Sequence, residues 1–194
     1  MHSKWSVRSL IPLKSRSMKN DQDRKKIQPI IRRYDFNEEN YERFYDIADQ
    51  SFRYGAPWTY KQYKETLGRE DLVFFVAEVD GQLVGYIGGK LLLDEAEIYT
   101  IVVSKRFQKK KIARALLKRF KEECRIKGVE AIFLEVRKSN KKARSFYRKN
   151  QFDVISSRTD YYTEPGEDAL VMKCRMRKKE ENGKEADISD RDKL

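Results

Sequence analysis

The residues best suited to chemistry begin with three consecutive lysines, Lys109, Lys110 and Lys111, at the start of an amphipathic helix pattern over residues 111–127. The backbone N–H groups of a loop that leads into a helix, and the positive end of the helix dipole, both face an anion bound there. The lysine side chains would add positive charge. The segment therefore predicts a binding site for a phosphate or pyrophosphate group, and the alternative is a solvated basic start to a helix.

Two residues further along the chain could exchange protons with a substrate. Glu135 places one carboxylate inside an apolar strand pattern, and Tyr147 lies two helical turns after Asn140. A carboxylate and a phenol can act as general base and general acid. At neutral pH an α-amine, with a pKa near ~8, is about a few hundred times richer in its free form than a lysine amine near ~10.4. One carboxylate therefore suffices to deprotonate an α-amine acceptor. The alternative interpretations are that Glu135 is a surface acid and that Tyr147 is an aromatic residue of the core.

The strands that must position these residues follow from hydrophobic periodicity and from turn residues. They are predicted at residues 27–34, 72–79, 83–93, 97–103, 130–136, 152–162 and 169–175. Pro29 lacks an N–H and so places the first strand at an edge of the sheet. Asp80-Gly81 is a strong hairpin signal and joins the second strand to the third.

Four helices are predicted between the strands. They cover residues 38–52 with Asn37 as the cap, a segment from Thr59 as the cap to near Gly68, residues 111–127 closed by Gly128, and residues 140–149. The resulting order is β-α-α-β-β-β-α-β-α-β-β, which indicates the α/β class. One mixed sheet with helices on both faces is the economical packing, and the strand–helix–strand unit around residues 111–127 should be parallel and right-handed.

The length of 194 residues fits a single domain. We expect that domain at residues 27–177, between a basic, disordered extension at 1–26 and a charged, disordered tail at 178–194. The first 19 residues also weakly resemble a transit peptide, and Met18 is an alternative natural start.

Composition bounds the partners. The net charge of +12 attracts polyanions, and coenzyme A, nucleic acid and acidic lipid all qualify. Two cysteines and one histidine do not form a metal-binding pattern, so no metal is expected. No apolar run approaches the ~18 residues of a membrane span. We therefore expect a cytoplasmic protein with no membrane partner and with no sequence-specific binding to nucleic acid, since aromatic RNA-binding signatures are missing.

The residues 108–113 resemble the acyl-CoA loop Q/R-x-x-G-x-G/A of the GNAT family of N-acetyltransferases. The resemblance implies the GNAT fold and acetyl-CoA as co-substrate. It also implies cofactor contacts from Ile101, Val102, Val103, Lys109, Lys110, Lys111, Ile112, Ala113, Arg114 and Asn140. In similar enzymes the glutamate that matches Glu135 is the general base, and the tyrosine that matches Tyr147 protonates the leaving thiolate.

Four short segments resemble one branch of that family, the RimI-like alanine N-acetyltransferases of a ribosomal protein. They are Pro57-Trp58-Thr59, Leu93-Asp94-Glu95-Ala96, Tyr161-Tyr162 and Glu167-Asp168-Ala169. The resemblance implies that the partner is the N-terminus of a basic ribosomal protein and that Trp58 and Tyr162 line the peptide entrance. A lysine or small-amine acceptor, a weakened acyl-CoA-binding module and an RNA-associated protein are the alternatives.

Two glycines of the family pattern are replaced. Lys111 stands at the first glycine of the loop, where it could clash with phosphate or reach it with its ammonium group. Gln151 stands where the family has glycine after the tyrosine-bearing helix. We expect Asn150 to take the left-handed conformation there, since asparagine tolerates it.

Overall fold

Seven strands form one mixed sheet in the order β1-β2-β3-β4-β5-β7-β6 in a computed structural model that describes residues 28–176. The strands are β1 (Ile30–Arg33), β2 (Leu72–Val79), β3 (Gln82–Leu92), β4 (Glu95–Val103), β5 (Ala131–Arg137), β6 (Asp153–Thr163) and β7 (Gly166–Arg175). The helices are α1 (Tyr41–Ser51), α2 (Tyr60–Leu67), α3 (Ile112–Ile126) and α4 (Lys141–Lys149), with short 3-10 turns at Phe36–Glu38 and Lys105–Phe107. The predicted extension at 1–26 and tail at 178–194 lie outside the described residues.

The sheet is antiparallel except between β4 and β5, which pair in parallel and are joined by α3. This confirms the predicted strand–helix–strand unit as parallel. Strand β1 pairs with β2 at one edge of the sheet, which confirms the edge position that Pro29 predicted.

Helices cover both faces of the sheet, as predicted. Alternate side chains of β2 point to opposite faces, so that Phe75 packs in one apolar cluster with Leu116 of α3 and Phe74 packs in the other with Phe44 of α1. The cluster that contains α3 also holds Tyr147 of α4. Helices α3 and α4 thus share one face, and α1 and α2 lie on the other.

Local sequence signals located most element ends. Thr59 and Gln62 form the reciprocal capping box of α2. The hairpin at Asp80-Gly81 joins β2 to β3, and both residues have positive φ. The prediction that Asn37 caps a helix from residue 38 is wrong, because Glu39 has a φ of 48° and interrupts the chain before α1 begins at Tyr41.

The turn after α4 also differs from the prediction. Asn150 has a φ of −110°, whereas Gln151 takes the left-handed conformation with a φ of 70°. Asn150 is retained by the helix because its side-chain amide donates to the carbonyl oxygen of Phe146 at 2.8 Å. The reversal therefore falls on the next residue, which is the position of the family glycine.

Candidate active site

A cleft opens where β4 and β5 separate. The two strands pair only as far as Ile98, opposite Leu134, although β4 continues to Val103 and β5 to Arg137. The cleft has a volume of about 1660 Å³. The unpaired edge of β4 can offer backbone N–H and C=O groups to a ligand, as a sheet edge does to an added strand. The predicted cofactor-binding residues of β4 all line the cleft: Ile101, Val102 and Val103.

A bulge bends β4 at the point of separation. Gly88 of β3 lies opposite Thr100 and Gly89 lies opposite Ile98, so Tyr99 is the extra residue. A Cβ atom at Gly89 would collide with a backbone carbonyl oxygen of β4, so the two strands approach this closely only with glycine there. The buried hydroxyl of Thr100 lines the cleft and has no hydrogen-bond partner among the described residues. An unpaired buried hydroxyl suits a ligand-binding position.

The predicted phosphate loop borders the cleft. Lys109 and Lys111 have left-handed backbone conformations, with φ of 62° and 65°. The first helical hydrogen bond of α3 runs from the N–H of Ala115 to the carbonyl oxygen of Lys111 at 3.1 Å. The N–H groups of the first helical residues therefore have no partner within the helix and can bind an anion. The predicted residues that line the cleft here are Lys109, Lys111, Ile112, Ala113 and Arg114.

Gln108 fixes this loop to its neighbours. Its side-chain nitrogen donates to the carbonyl oxygen of Val103 at 3.0 Å, and its side-chain oxygen accepts from the ammonium of Lys142 on α4 at 2.8 Å. One side chain thus connects the loop to β4 and to α4. Lys110, by contrast, is not among the residues that line the cleft, and its ammonium lies 5.3 Å from the ring centroid of Phe107.

The predicted base lies on β5 and has a carboxylate neighbour. The side chain of Glu135 is 14% exposed and pairs with Arg158 of β6 at 3.3 Å. Glu97 of β4 is within hydrogen-bonding reach of Glu135, and both residues line the cleft. Burial and, to a smaller extent, the neighbouring Glu135 raise the pKa of Glu97, while Arg158 lowers it. The predicted base therefore has a second carboxyl group beside it in the cleft.

The predicted acid is buried on α4. Tyr147 is 7% exposed, lines the cleft, and packs its ring against Phe146 and Phe152. Burial raises the pKa of Tyr147 well above its usual range, with a smaller contribution from Tyr162. Burial also raises the pKa of Tyr162 to about 12. Both phenols therefore keep their protons at neutral pH and can donate hydrogen bonds.

Asn140 and Trp58 also line the cleft. The side-chain oxygen of Asn140 accepts from the N–H of Ala143 at 3.0 Å and so caps α4. The ring of Trp58 packs against Tyr63, with 5.2 Å between centroids. Each has a structural partner in addition to its position in the cleft, and their contacts with cofactor and with peptide remain predictions.

Glu97 and Arg137 are among the cleft residues that the sequence analysis did not name as site residues. Strand alternation could have found Arg137, since it follows Glu135 by two residues and so lies on the same face of β5. Glu97 lacked such a local signal. Glu97 lies near Glu135 because of the parallel register of β4 and β5, in which Glu97 is opposite Phe133.

Within residues 28–176, no group of three or more His, Cys, Asp or Glu side chains could hold a metal ion. None of the helices in this part of the chain is long and apolar enough to cross a membrane.

The family follows from comparison with known proteins. Residues 37–152 match the model of the acetyltransferase (GNAT) family, and this stretch contains the phosphate loop, Glu135 and Tyr147. The chain belongs to the GNAT acetyltransferase family. The predicted fold class and acetyltransferase activity are thereby confirmed, and enzymes of the GNAT family use acetyl-CoA.

Several GNAT relatives are named for N-acetyltransferase activity. A ribosomal protein bS18-alanine N-acetyltransferase of Haemophilus influenzae is 32% identical over 138 residues, which cover 70% of this chain and 92% of that protein. An N-alpha-acetyltransferase of Sulfurisphaera tokodaii is 33% identical over 135 residues, covering 62% and 80%. The crystal structure of the ribosomal-protein-S18-alanine N-acetyltransferase from Escherichia coli matches with a TM-score of 0.70 at 26% identity, covering 80% of this chain and 98% of that one.

Proposed function

We propose that this GNAT enzyme transfers the acetyl group of acetyl-CoA to the N-terminal alanine of a ribosomal protein. Glu135 is the general base and Tyr147 the general acid. The observation that carries the proposal is that both side chains line the same cleft as the phosphate loop. The relatives from H. influenzae and E. coli, which are named for this activity, support the acceptor. A ribosomal acceptor implies a cytoplasmic location.

The residues of the cleft fit acetyl-CoA. Lys109, Lys111 and Arg114 supply positive charge beside the free N–H groups at the start of α3, which suits a pyrophosphate. The unpaired edge of β4 can hydrogen-bond the amide groups of the coenzyme A arm, and Asn140 borders the same cleft. The acetyl thioester is the group that this co-substrate brings to the reaction.

Glu135 activates the acceptor. An α-ammonium group has a pKa near ~8, so only a modest driving force is needed to remove its proton near neutral pH. Glu135 takes that proton, and the free amine nitrogen forms a bond to the acetyl carbon while the bond from that carbon to sulfur breaks. The second proton that the nitrogen loses on becoming an amide neutralises the leaving thiolate. Glu97 places a second carboxyl group beside Glu135, and the positive charge of Arg158 offsets the negative charge of these carboxylates.

Tyr147 stabilises the sulfur that leaves. A phenol near ~10 is a weaker acid than a thiol near ~8.5, so full proton transfer from an ordinary tyrosine is uphill by about 2 kcal/mol. Burial raises the pKa of Tyr147 and makes full transfer still less favourable. We therefore assign its role as general acid chiefly to a hydrogen bond donated to the developing thiolate, which needs no complete transfer in the transition state.

A peptide panel tests the acceptor. The peptides begin with Ala-Arg, or carry the same sequence with a blocked amine and an inserted lysine. The α-amine is favoured by about two and a half pKa units at neutral pH, and Trp58 and Tyr162 would narrow the entrance to a small first residue. The free Ala-Arg peptide should react faster. If the blocked, lysine-bearing peptide reacts as fast, the assignment to N-terminal alanine is wrong and the GNAT assignment stands.

A further inference from the structure

Arg137 lies at the end of β5, two residues after Glu135, and its guanidinium group contacts two aromatic rings. Its central carbon is 4.0 Å from the ring centroid of Tyr162 on β6 and 4.8 Å from that of Tyr54 in the segment between α1 and α2. The side chain is 18% exposed. A planar cation can stack on two rings at once, and a lysine ammonium group cannot do so with the same geometry.

The same guanidinium group holds the turn between β6 and β7. One terminal nitrogen donates to the carbonyl oxygen of Glu164 at 2.9 Å, and the other donates to that of Pro165 at 3.0 Å. The second nitrogen also pairs with the carboxylate of Glu167 at 3.4 Å. Arg137 therefore joins three segments that are far apart in sequence: β5, the β6–β7 turn and the segment between α1 and α2.

These segments form the acceptor side of the cleft. Tyr54, Tyr162 and Glu164 line the cleft together with Glu135, and the segment that carries Tyr54 also carries Trp58. Within residues 28–176, the guanidinium group of Arg137 makes its hydrogen bonds and ring contacts on the acceptor side and none to the phosphate loop. A change at Arg137 should therefore affect the acceptor and leave the cofactor site unchanged.

We propose that Arg137 is a positioning residue that sets the width of the acceptor entrance by holding both Tyr54 and Tyr162 against its guanidinium group, and thereby limits which first residues are accepted. This inference rests on the proposed function, because it assumes that the acceptor enters on the side of Glu135. Loss of the guanidinium group removes the common partner of both rings and of the β6–β7 turn. The entrance then becomes wider and less ordered.

The test compares Arg137→Met and Arg137→Lys with Lys138→Met as the matched control. Lys138 is the next residue, pairs with Asp168 at 3.1 Å, and is not among the residues that line the cleft. The measurements are kcat and KM with peptides that begin with alanine or leucine, and the Kd of coenzyme A by calorimetry.

Arg137→Met should raise the KM of the alanine peptide by roughly tenfold, as expected for the loss of two ring contacts and two hydrogen bonds. Its kcat and its Kd for coenzyme A should stay within about twofold of wild type, and the preference for alanine over leucine should fall. Arg137→Lys keeps the charge without the planar fork, so it should recover only part of the loss. An unchanged preference, an equal loss of coenzyme A affinity, or the same effect in Lys138→Met would overturn the proposal.

Tyr54→Leu provides a second route if Arg137→Met fails to fold. Tyr54 is 45% exposed, so its replacement is tolerated more easily. It should shift the alanine preference in the same direction by a smaller factor, and no shift would refute the proposal.

The inference can fail separately from the proposed function. If wild type acetylates only lysine-bearing peptides, the acceptor assignment fails and the same KM comparison is made with those peptides. If wild type acetylates no peptide, calorimetry measures binding of the alanine peptide to the coenzyme A complex. A Kd that is equal in wild type and Arg137→Met, or no detectable binding to either, would then refute the role of Arg137.

Discussion

Lys111 combines an unfavourable backbone conformation with a charge at the phosphate loop, and two substitutions separate the effects. Its φ of 65° is left-handed, which costs a residue with a Cβ atom roughly 1–2 kcal/mol. Glycine removes that cost but loses about 0.5–1 kcal/mol through the greater entropy of the unfolded chain. Lys111→Gly should therefore increase the free energy of unfolding by about 0.5–1 kcal/mol. Lys111→Met keeps the Cβ atom and should leave the free energy of unfolding unchanged.

The charge should govern coenzyme A affinity. The backbone at Lys111 already has the conformation that glycine adopts readily, so the N–H groups of the loop have the same directions with either residue. What changes is an exposed ammonium group, which at about 4 Å from one phosphate charge contributes about 1 kcal/mol in water. Both variants should bind coenzyme A about fivefold more weakly at low salt, and the difference from wild type should shrink at high salt.

Thermal unfolding without ligand and calorimetry with coenzyme A measure the two effects. A gain of 1 kcal/mol raises Tm by about 2–4 °C in a chain of this size, so Lys111→Gly should raise Tm by about 1–4 °C. Lys105→Met is the control, because Lys105 is an exposed lysine just before the loop that does not line the cleft. A lower Tm for Lys111→Gly would refute the strain estimate. Tighter binding by Lys111→Gly with weaker binding by Lys111→Met would show that the Cβ atom obstructs the phosphate.

Four other substitutions test the proposed catalytic and acceptor-binding residues. Glu135→Gln should slow acetylation at neutral pH, and higher pH should restore part of the rate because free amine then forms without a base; an unchanged pH profile of kcat/KM would exclude Glu135 as the base. Arg158→Met removes a positive charge that lowers the pKa of Glu97. A proton on Glu97 beside the base lowers activity as pH falls, so the acidic limb of the pH profile of Arg158→Met should lie at higher pH than that of wild type; an unmoved limb would contradict the reasoning. Tyr147→Phe should reduce kcat by about a hundredfold with little change in coenzyme A Kd; full activity would exclude Tyr147 as the donor. Trp58→Ala should raise the peptide KM without changing the Kd of coenzyme A, whereas equal losses in both would assign Trp58 to packing.

The order of the elements was predictable because their ends carry strong local signals. The capping box of Thr59 and Gln62 and the turn at Asp80-Gly81 act within a few residues of the chain. The prediction of the turn after α4 failed because two neighbouring residues could each take the left-handed conformation. The side chain of Asn150 donates a hydrogen bond to its own helix, and Gln151 takes the left-handed conformation instead. No pattern in the sequence shows which of the two residues takes that conformation.

Glu135 and Tyr147 were predicted as base and acid from the strand and helix patterns and from family motifs, but their surroundings were not predicted. The neighbours of Glu135 come from β4 and β6, so they depend on strand register and on the order of strands in the sheet. Glu97 reaches Glu135 only because β4 and β5 are parallel, and Arg158 reaches it across β7. Periodicity describes one strand at a time and therefore cannot identify such partners.

Gly89 of β3 explains how the cleft and the carboxylate pair come to occupy the same place. Gly89 permits the close approach of β3 to β4 at the bulge that bends β4 at Tyr99, and pairing with β5 ends at the adjacent residue Ile98. Glu97 lines the cleft two residues before this bend, where β4 is still paired with β5, so its carboxyl group stays beside β5 while the rest of β4 turns away. The backbone beyond the bend is left free for a ligand, and Glu135 remains at the point where the strands part. A site of this kind needs a defect in the sheet, and Gly89 allows it.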